Sequence, residues 1–354
     1  MAFALPRYSR AVVDRAGVAF RSEKYTADDL AVLENWRASH LYVINTFQAS
    51  LRRRRRTSGS SITIAQRLKR RPTIIDKLKR EPEMSLSRMH DIAGCRLIFE
   101  DVGSLHAFRD SFHGSRASHE LVGGDNRYDY IAHPKSSGYR GVHDVYKYVA
   151  FAKTSEKWNK LRIELQYRTV VQHAWATAVE ILDIVNMSRL KFSDADEGVE
   201  RQLLIASEIL SRAHEGVPGY CANEEINALI EEFCHLEDQY RSILRLRELS
   251  TSEFGQFARS ARLFVLVNFF EPQDFGPLIA YGYSDNRSAV ESYENLEKEH
   301  QGRADVVLVG ATEQDAVKLS YTNYFSDASI FLRLLDEATE KFGHVGMIGP
   351  RQRG

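Results

Sequence analysis

Two carboxylates and a crowd of cations are the residues of this chain best suited to chemistry, and three clusters hold them. The first is Arg67-Leu68-Lys69, followed by Lys77. The second, His90-Asp91-Ile92-Ala93-Gly94-Cys95-Arg96, sets an acid just before an apolar run. The third is Arg162-Ile163-Glu164-Leu165-Gln166-Tyr167-Arg168-Thr169. On a strand, Arg162, Glu164, Gln166 and Arg168 share one face, and Ile163, Leu165 and Tyr167 the other. One face is a core and the opposite face a row of charge. Between the second and third clusters runs Asp129-Tyr130-Ile131-Ala132-His133-Pro134-Lys135-Ser136-Ser137-Gly138-Tyr139-Arg140-Gly141-Val142-His143, with cations, small residues that admit a ligand to the backbone, and an aromatic platform. Two acids can hold a magnesium ion and handle a hydroxyl proton, while several cations neutralise a polyphosphate. Tyrosine and arginine planes can stack on bases, each stack worth roughly 1–3 kcal/mol. Singly, each piece has a plain reading: a turn aspartate, or a solvated strand face with cross-strand ion pairs. Together they point to phosphoryl-type transfer.

Regular elements must position these groups. Thr26 followed by Asp28 and Asp29 marks a helix start. Leu30, Leu33, Leu41, Ile44, Phe47 and Leu51 continue it at helical spacing, and Arg52 to Arg56 close it with charge that suits a carboxyl terminus. Thr57 to Ser60 reads as a flexible turn, and Pro72 as the first residue of a short helix through Leu78. Arg96 to Phe99, Tyr128 to Ile131, Val142 to Val149 and Leu161 to Tyr167 read as strands. Val102 to Phe112 and Thr169 to Val185 read as helices. Residues 197–250 are helical in pattern, broken at Val217-Pro218-Gly219. Leu263 to Phe269 and Asp305 to Val309 are strands, with helices at Ser288 to His300 and Ala328 to Phe342. The expected class is α+β, with a mixed-sheet domain flanked by helices over residues 1–190 and a helical connector over 191–255. A small α/β domain over 256–345 and a disordered tail over 346–354 complete the expectation.

Composition excludes several classes. Lys plus Arg and Asp plus Glu number 48 each, yet residues 51–80 hold twelve Lys or Arg against the single acid Asp76. Such a basic stretch suits a polyphosphate or nucleic-acid partner. No apolar run approaches the roughly 18 residues of a membrane span, and the start lacks the pattern of a signal peptide. Cys95, Cys221 and Cys234 read as reduced thiols of a cytoplasmic protein. Cys221 with Cys234-His235 lacks the paired spacing of a zinc site.

The most specific pieces are Met89 to Arg96, Asp129-Tyr130-Ile131 with Pro134-Lys135, Gly138-Tyr139-Arg140 and His143, and Glu164-Leu165-Gln166-Tyr167-Arg168-Thr169 followed by His173-Ala174-Trp175. In this order they resemble the synthetase domain of RelA/SpoT-type alarmone synthetases, over about residues 60–185. The resemblance implies a nucleotidyltransferase-like fold and magnesium-dependent transfer of the β,γ-pyrophosphate of ATP to a ribose 3′-hydroxyl. It implies Asp91 and Glu164 as catalytic, metal-binding acids, with Glu164 orienting or deprotonating the hydroxyl. Arg67, Lys69, Lys77, Arg96, Lys135 and His143 would bind ATP. Tyr139, Gln166 and Arg168 would bind the acceptor, with Tyr139 stacked on its base.

Only about 60 residues precede the first motif, without an adjacent His-Asp pair, so the hydrolase activity of bifunctional members is not expected. Near the other end, Tyr321-Thr322-Asn323-Tyr324 is similar to a Tyr-x-x-Tyr motif in the pseudo-zinc-finger domain of CapRel-type fused toxin–antitoxin proteins. That likeness implies an antiviral toxin that pyrophosphorylates the 3′-terminal adenosine of tRNA. Tyr321 and Tyr324 would shut its ATP site until a phage capsid protein binds. Arg52, Arg53, Arg54, Arg55 and Arg56, with Arg70, Arg71 and Arg80, would supply the basic track for tRNA. The alternative acceptor is GDP or GTP, which would make the chain a (p)ppGpp synthetase of the stringent response. A non-catalytic nucleotide sensor is the third reading, and the presence of both acids argues against it.

Overall fold

The computed structural model describes residues 3–58, 61–69, 71–115, 119–124, 126–186, 195–251, 263–269, 278–300, 303–310 and 316–344. The chain divides into two compact units, Met1–His133 with Arg140–Val170, and Pro134–Tyr139 with Val171–Gly354.

The first unit comprises α1 (Arg10–Arg21), α2 (Ala27–Ser58), β1 (Thr63–Leu68), α3 (Arg71–Arg80), β2 (Ala93–Phe99), α4 (Val102–His113), β3 (Glu120–Leu121), β4 (Val142–Lys147) and β5 (Arg162–Thr169). Its five strands form one mixed sheet in the order β1-β2-β5-β4-β3, in which β2 and β5 run parallel and the other pairs antiparallel. Alternation sorts the side chains as the sequence requires: Ile163, Leu165 and Tyr167 are fully buried, as are Ala93, Cys95 and Leu97 beside them on β2. Helices α2 and α4 pack on that apolar face, where Phe47 of α2 meets Tyr146 at a centroid distance of 5.6 Å. Helix α2 begins with a reciprocal cap: the Thr26 hydroxyl accepts from the Asp29 amide at 3.3 Å, and the Asp29 carboxylate accepts from the Thr26 amide at 2.8 Å.

One expected strand is absent. Tyr128 to Ile131 forms a turn joined to the sheet by a single bridge between Asp129 and Val142. The Asp129 carboxylate accepts from the amides of Ile131 and Ala132, each at 3.0 Å, and so takes donors that a ladder would need. Helix α1 and strands β1 and β3 were not anticipated. In β1, Gln66 and Arg67 fall side by side and blur the alternation on which a strand assignment depends.

In the second unit the segment Pro134–Tyr139 lies on helices that include α5 (Val170–Asn186) and α6 (Ala195–Leu210). Gly138 has φ 85°, and a Cβ there would stand 3.0 Å from Leu204 Cα and 3.1 Å from the Trp175 ring. Glycine is therefore required both by backbone conformation and by close approach. The Ser207 hydroxyl donates to the Gly138 carbonyl at 2.6 Å and fixes the contact. A π-turn, Ser211–Glu215, ends α6, and α7 (Ile226–Tyr240) and α8 (Ser242–Thr251) follow. An antiparallel sheet of order β7-β6-β8 is built from β6 (Leu263–Phe269), β7 (Leu278–Tyr283) and β8 (Ala304–Gly310), with α9 (Asn286–Glu299) packed on it. Strand β7 had no counterpart in the sequence reading. The last helix, α10 (Ala316–Lys341), buries Phe331, Leu335 and Ala338 in a core shared with α6 and α8. It starts twelve residues before the expected Ala328 and so contains Tyr321 and Tyr324, whose side chains lie outside the described residues. The tail expected at 346–354 also lies outside them. Among the described residues no helix is long and apolar enough to cross a membrane, and the three cysteines are free thiols.

Candidate active site

The antiparallel pairing of β1 with β2 continues one bond past the end of β1, where the Lys69 amide donates to Ile92 O at 2.9 Å. This places Lys69 beside Asp91. Its ammonium lies 2.7 Å from Asp91 Oδ2, and Lys77 on α3 brings a second ammonium to 3.2 Å from Oδ1. The Asp91 side chain is 20% exposed and that of Lys69 only 9%. Burial alone would raise the Asp91 pKa; the charges of Lys69 and Lys77 outweigh it and hold the carboxyl below its ordinary value.

Glu164 stands one strand over. The parallel register sets it against Gly94, and Gly94 in turn faces Arg67 across β1. Paired residues share a sheet face, and the middle position of this row has no side chain to separate Arg67 from Glu164. On the same face, Arg96, Gln166 and His143 form the next row. Gln166 Nε2 donates to Glu164 Oε2 at 2.6 Å, and His143 Nδ1 lies 3.2 Å from Oε1. Burial would raise the Glu164 pKa as well, yet the hydrogen bond and charge of His143, the Gln166 amide and the charge of Lys77 bring it down to about 2. Lys77 thus favours the ionised form of both acids, and the Glu164 charge acts in return on Asp91. Asp91 and Glu164 belong to one electrostatic cluster.

Two aromatic contacts frame it. Tyr130 meets the His143 ring edge-on at 5.5 Å, and Tyr128 meets His90 at 6.3 Å. His90 lies within the electrostatic reach of Arg162, Glu164, Lys77 and Asp91, and burial lowers its pKa. The sequence reading gave His90 no role, although its place directly before Asp91 was the available signal. Arg67 is exposed, Arg96 half-buried, and Arg168, next but one to Gln166 on β5, is buried.

The other expected site residues divide between the two units. Lys135 and Tyr139 belong to the second unit, where the Lys135 ammonium sits 5.3 Å from the Tyr139 ring centre. The arginine run is on α2, which packs on the opposite, apolar face of the sheet. Arg54 donates to Ser111 of α4, and Arg55 to Ile62 O at 3.2 Å; Arg52, Arg53 and Arg56 are exposed. The fold does not bring this run to the acid cluster.

Among the described residues no group of three or more His, Cys, Asp or Glu side chains could hold a metal ion. The pair Asp91 and Glu164 nevertheless suits magnesium, which typically takes one or two carboxylates and completes its shell with phosphate oxygens and water. The donor set fits an ion that arrives with its nucleotide.

Comparison with known proteins bears on the same stretch. Residues 66–181 match the family model described as a region found in RelA / SpoT proteins. GTP pyrophosphokinase YjbM of Bacillus subtilis is 32% identical over 155 residues, which is 43% of this chain and 68% of that protein. An uncharacterized protein of Mycobacterium tuberculosis is 30% identical over 128 residues, covering 35% of this chain and 41% of its own. The crystal structure of the small alarmone synthetase 1 from Bacillus subtilis bound to its product pppGpp aligns at 25% identity and a TM-score of 0.42, over 49% of this chain and 89% of that one.

Proposed function

The chain belongs to the RelA/SpoT family and is a pyrophosphokinase of the alarmone-synthetase kind; from that premise we propose that it moves the β,γ-pyrophosphate of ATP onto the 3′-hydroxyl of the tRNA acceptor end. The observation that carries the chemistry is the single cluster of Asp91 and Glu164 with Lys69, Lys77 and His143. The 3′-oxygen attacks the β-phosphorus in line, its bond to phosphorus forms as the bond to the α,β-bridging oxygen breaks, and AMP leaves. Lys69, Lys77, Arg67 and Arg96 neutralise the charge that spreads onto the transferred oxygens. Asp91 and Glu164 would hold magnesium, which adds to that neutralisation. With a pKa of about 2, Glu164 is a weak base. Its part is to accept a hydrogen bond from the 3′-hydroxyl, aim it, and take its proton late, once the forming bond to phosphorus has made that oxygen acidic; a weak base suffices there because the transition state is loose.

Supporting a tRNA-directed, restrained enzyme are the likeness of Tyr321-x-x-Tyr324 to fused toxin–antitoxin proteins and the amount of chain, more than half, outside the 43% shared with the relative. In this reading the second unit shuts the enzyme through Tyr321 and Tyr324, and a phage capsid protein releases it as an antiviral response. Tyr321→Ala and Tyr324→Ala should then raise activity and make expression toxic; inactive, harmless variants would count against restraint.

A second reading has its own observation. The relative carries the name GTP pyrophosphokinase, which favours GDP or GTP as acceptor and (p)ppGpp as product. Lys135 and Tyr139 would serve the polyphosphate and the acceptor base in either case. Incubation with ATP labelled in the β,γ-phosphates plus tRNA, GDP and GTP decides between them. Label on tRNA supports the first reading, and label confined to guanine nucleotides overturns it.

A further inference from the structure

Both oxygens of Asp91 are engaged by ammonium groups, Lys69 at 2.7 Å and Lys77 at 3.2 Å. We propose that these two lysines make Asp91 selective for a divalent cation already carried by a polyphosphate, and exclude the bare ion. The inference rests on Asp91 as a metal ligand, and it adds an exchange: the lysines hold the carboxylate until phosphate oxygens take them over.

The physical case begins with the side-chain type. A lysine is a compact charge on a flexible four-carbon stem, so its ammonium can swing to a new anion while its helix or strand stays in place. Next comes the cost of a wrong exchange. For a bare cation to reach Asp91, at least one ammonium must give up its oxygen, and it would be left without that partner on a side chain only 9% exposed for Lys69 and 20% for Lys77. A buried charge that loses its partner is strongly destabilising. Total charge gives the same answer. Asp91, Glu164, Lys69 and Lys77 carry no net charge together, and Arg67 and Arg96 on the same face make the surroundings positive. A bare divalent ion therefore enters against repulsion. A metal–triphosphate complex is anionic overall, and it offers each displaced ammonium a phosphate oxygen. Metal and nucleotide affinities are then reciprocally coupled, as linkage requires.

Manganese, an oxygen-seeking stand-in for magnesium with an electron-spin signal, tests this on the full chain. Without nucleotide the wild type should bind Mn2+ at least about tenfold more weakly than with a non-hydrolysable ATP analogue, a factor typical of coupled sites. Lys77→Met should tighten binding of Mn2+ alone by about tenfold and weaken binding of the metal-free analogue. Lys69→Met is read in the same way, with thermal melts confirming that each variant is folded, and Asp91→Asn should abolish the tight site. Wild-type binding of Mn2+ alone as tight as with the analogue would overturn the proposal, as would lysine variants whose Mn2+ affinity is unchanged. Turnover is followed separately. Loss of coupling with turnover intact removes only the exchange, whereas coupling without turnover on any acceptor removes the enzymatic reading and leaves the exchange standing.

Discussion

Two ion clusters sit back to back across strand β4, and both join carboxylate to histidine and to a basic side chain. On one face His143 reaches Glu164 at 3.2 Å, with lysines close by on Asp91. On the other, His113 of α4 lies 2.7 Å from Asp144 Oδ2, and Arg109 grips the same carboxylate through Nη2 at 2.8 Å and Nε at 3.0 Å. Asp144 is 1% exposed and Arg109 4%. Burial would raise the Asp144 pKa, but the hydrogen bonds of His113 and Arg109 hold it down, and Tyr167 beside it is pushed up by burial and by the Asp144 charge. The shared mix of acid, histidine and cation does not by itself separate a structural cluster from a candidate chemical one. Access and donor type do. A planar guanidinium clamps Asp144 in a fixed fork with no opening for a ligand, whereas lysines on long stems hold Asp91 at a face still open to exchange.

The sharpest way to break this comparison is to remove one charge from each side. Asp144→Asn leaves Arg109 buried without its anion, and breaking such a pair costs about 3–5 kcal/mol of stability. Denaturant unfolding should show that loss, while turnover per folded molecule stays within a few-fold of wild type. An Asp144→Asn protein as stable as wild type would dissolve the distinction. Glu164→Gln should instead strike turnover. If Glu164 aims the acceptor hydroxyl as proposed, losing its charge should cost about 3–4 kcal/mol of barrier, several hundred-fold in kcat, by analogy with other preorganised electrostatic groups. Its stability at neutral pH should fall as well, because the depressed Glu164 carboxylate stabilises the fold there, so the two variants are told apart by turnover per folded molecule and not by the midpoint of unfolding.

Acid sharpens the contrast further. Glu164 drops from an ordinary 4.5 to about 2 in the fold, and Asp144 is lowered from 3.8. A depressed carboxyl gives its full stabilisation above the unfolded pKa and loses it as pH falls through the folded one. Wild type should therefore lose stability progressively from about pH 4.5 down to about pH 2. Glu164→Gln, with one proton fewer to take up, should show a shallower slope over that interval, and an unchanged slope would contradict the depressed value.

The difference between the clusters also explains what could be read in advance. Glu164 and Gln166 were legible because Ile163, Leu165 and Tyr167 alternate with them and fix the face. Asp144 was not, since His143-Asp144 places two polar residues on opposite faces and its partner Arg109 is 35 positions away. The lysine pair on Asp91 depends on the β1–β2 register and on where the anticipated helix α3 packs, neither of which local pattern specifies. Asp129 misled in the same local way, because its side chain competes for backbone donors that the apolar pattern had assigned to a strand.

The smallest effect concerns the arginines of α2, which lie on the apolar side of the sheet with Arg54 and Arg55 tied to protein groups. Arg53 and Arg56 are exposed and have no tie to the acid cluster, so Arg53→Glu with Arg56→Glu should change kcat/KM for a free nucleotide acceptor by less than about twofold, as surface substitutions away from such features do. With tRNA the outcome is diagnostic. If the run guides a nucleic-acid backbone, removing two contacts should flatten the slope of log affinity against log salt by about 1.4–1.8. An unchanged slope would count against the run as a nucleic-acid track and leave the proposed acceptor site on the face of Glu164.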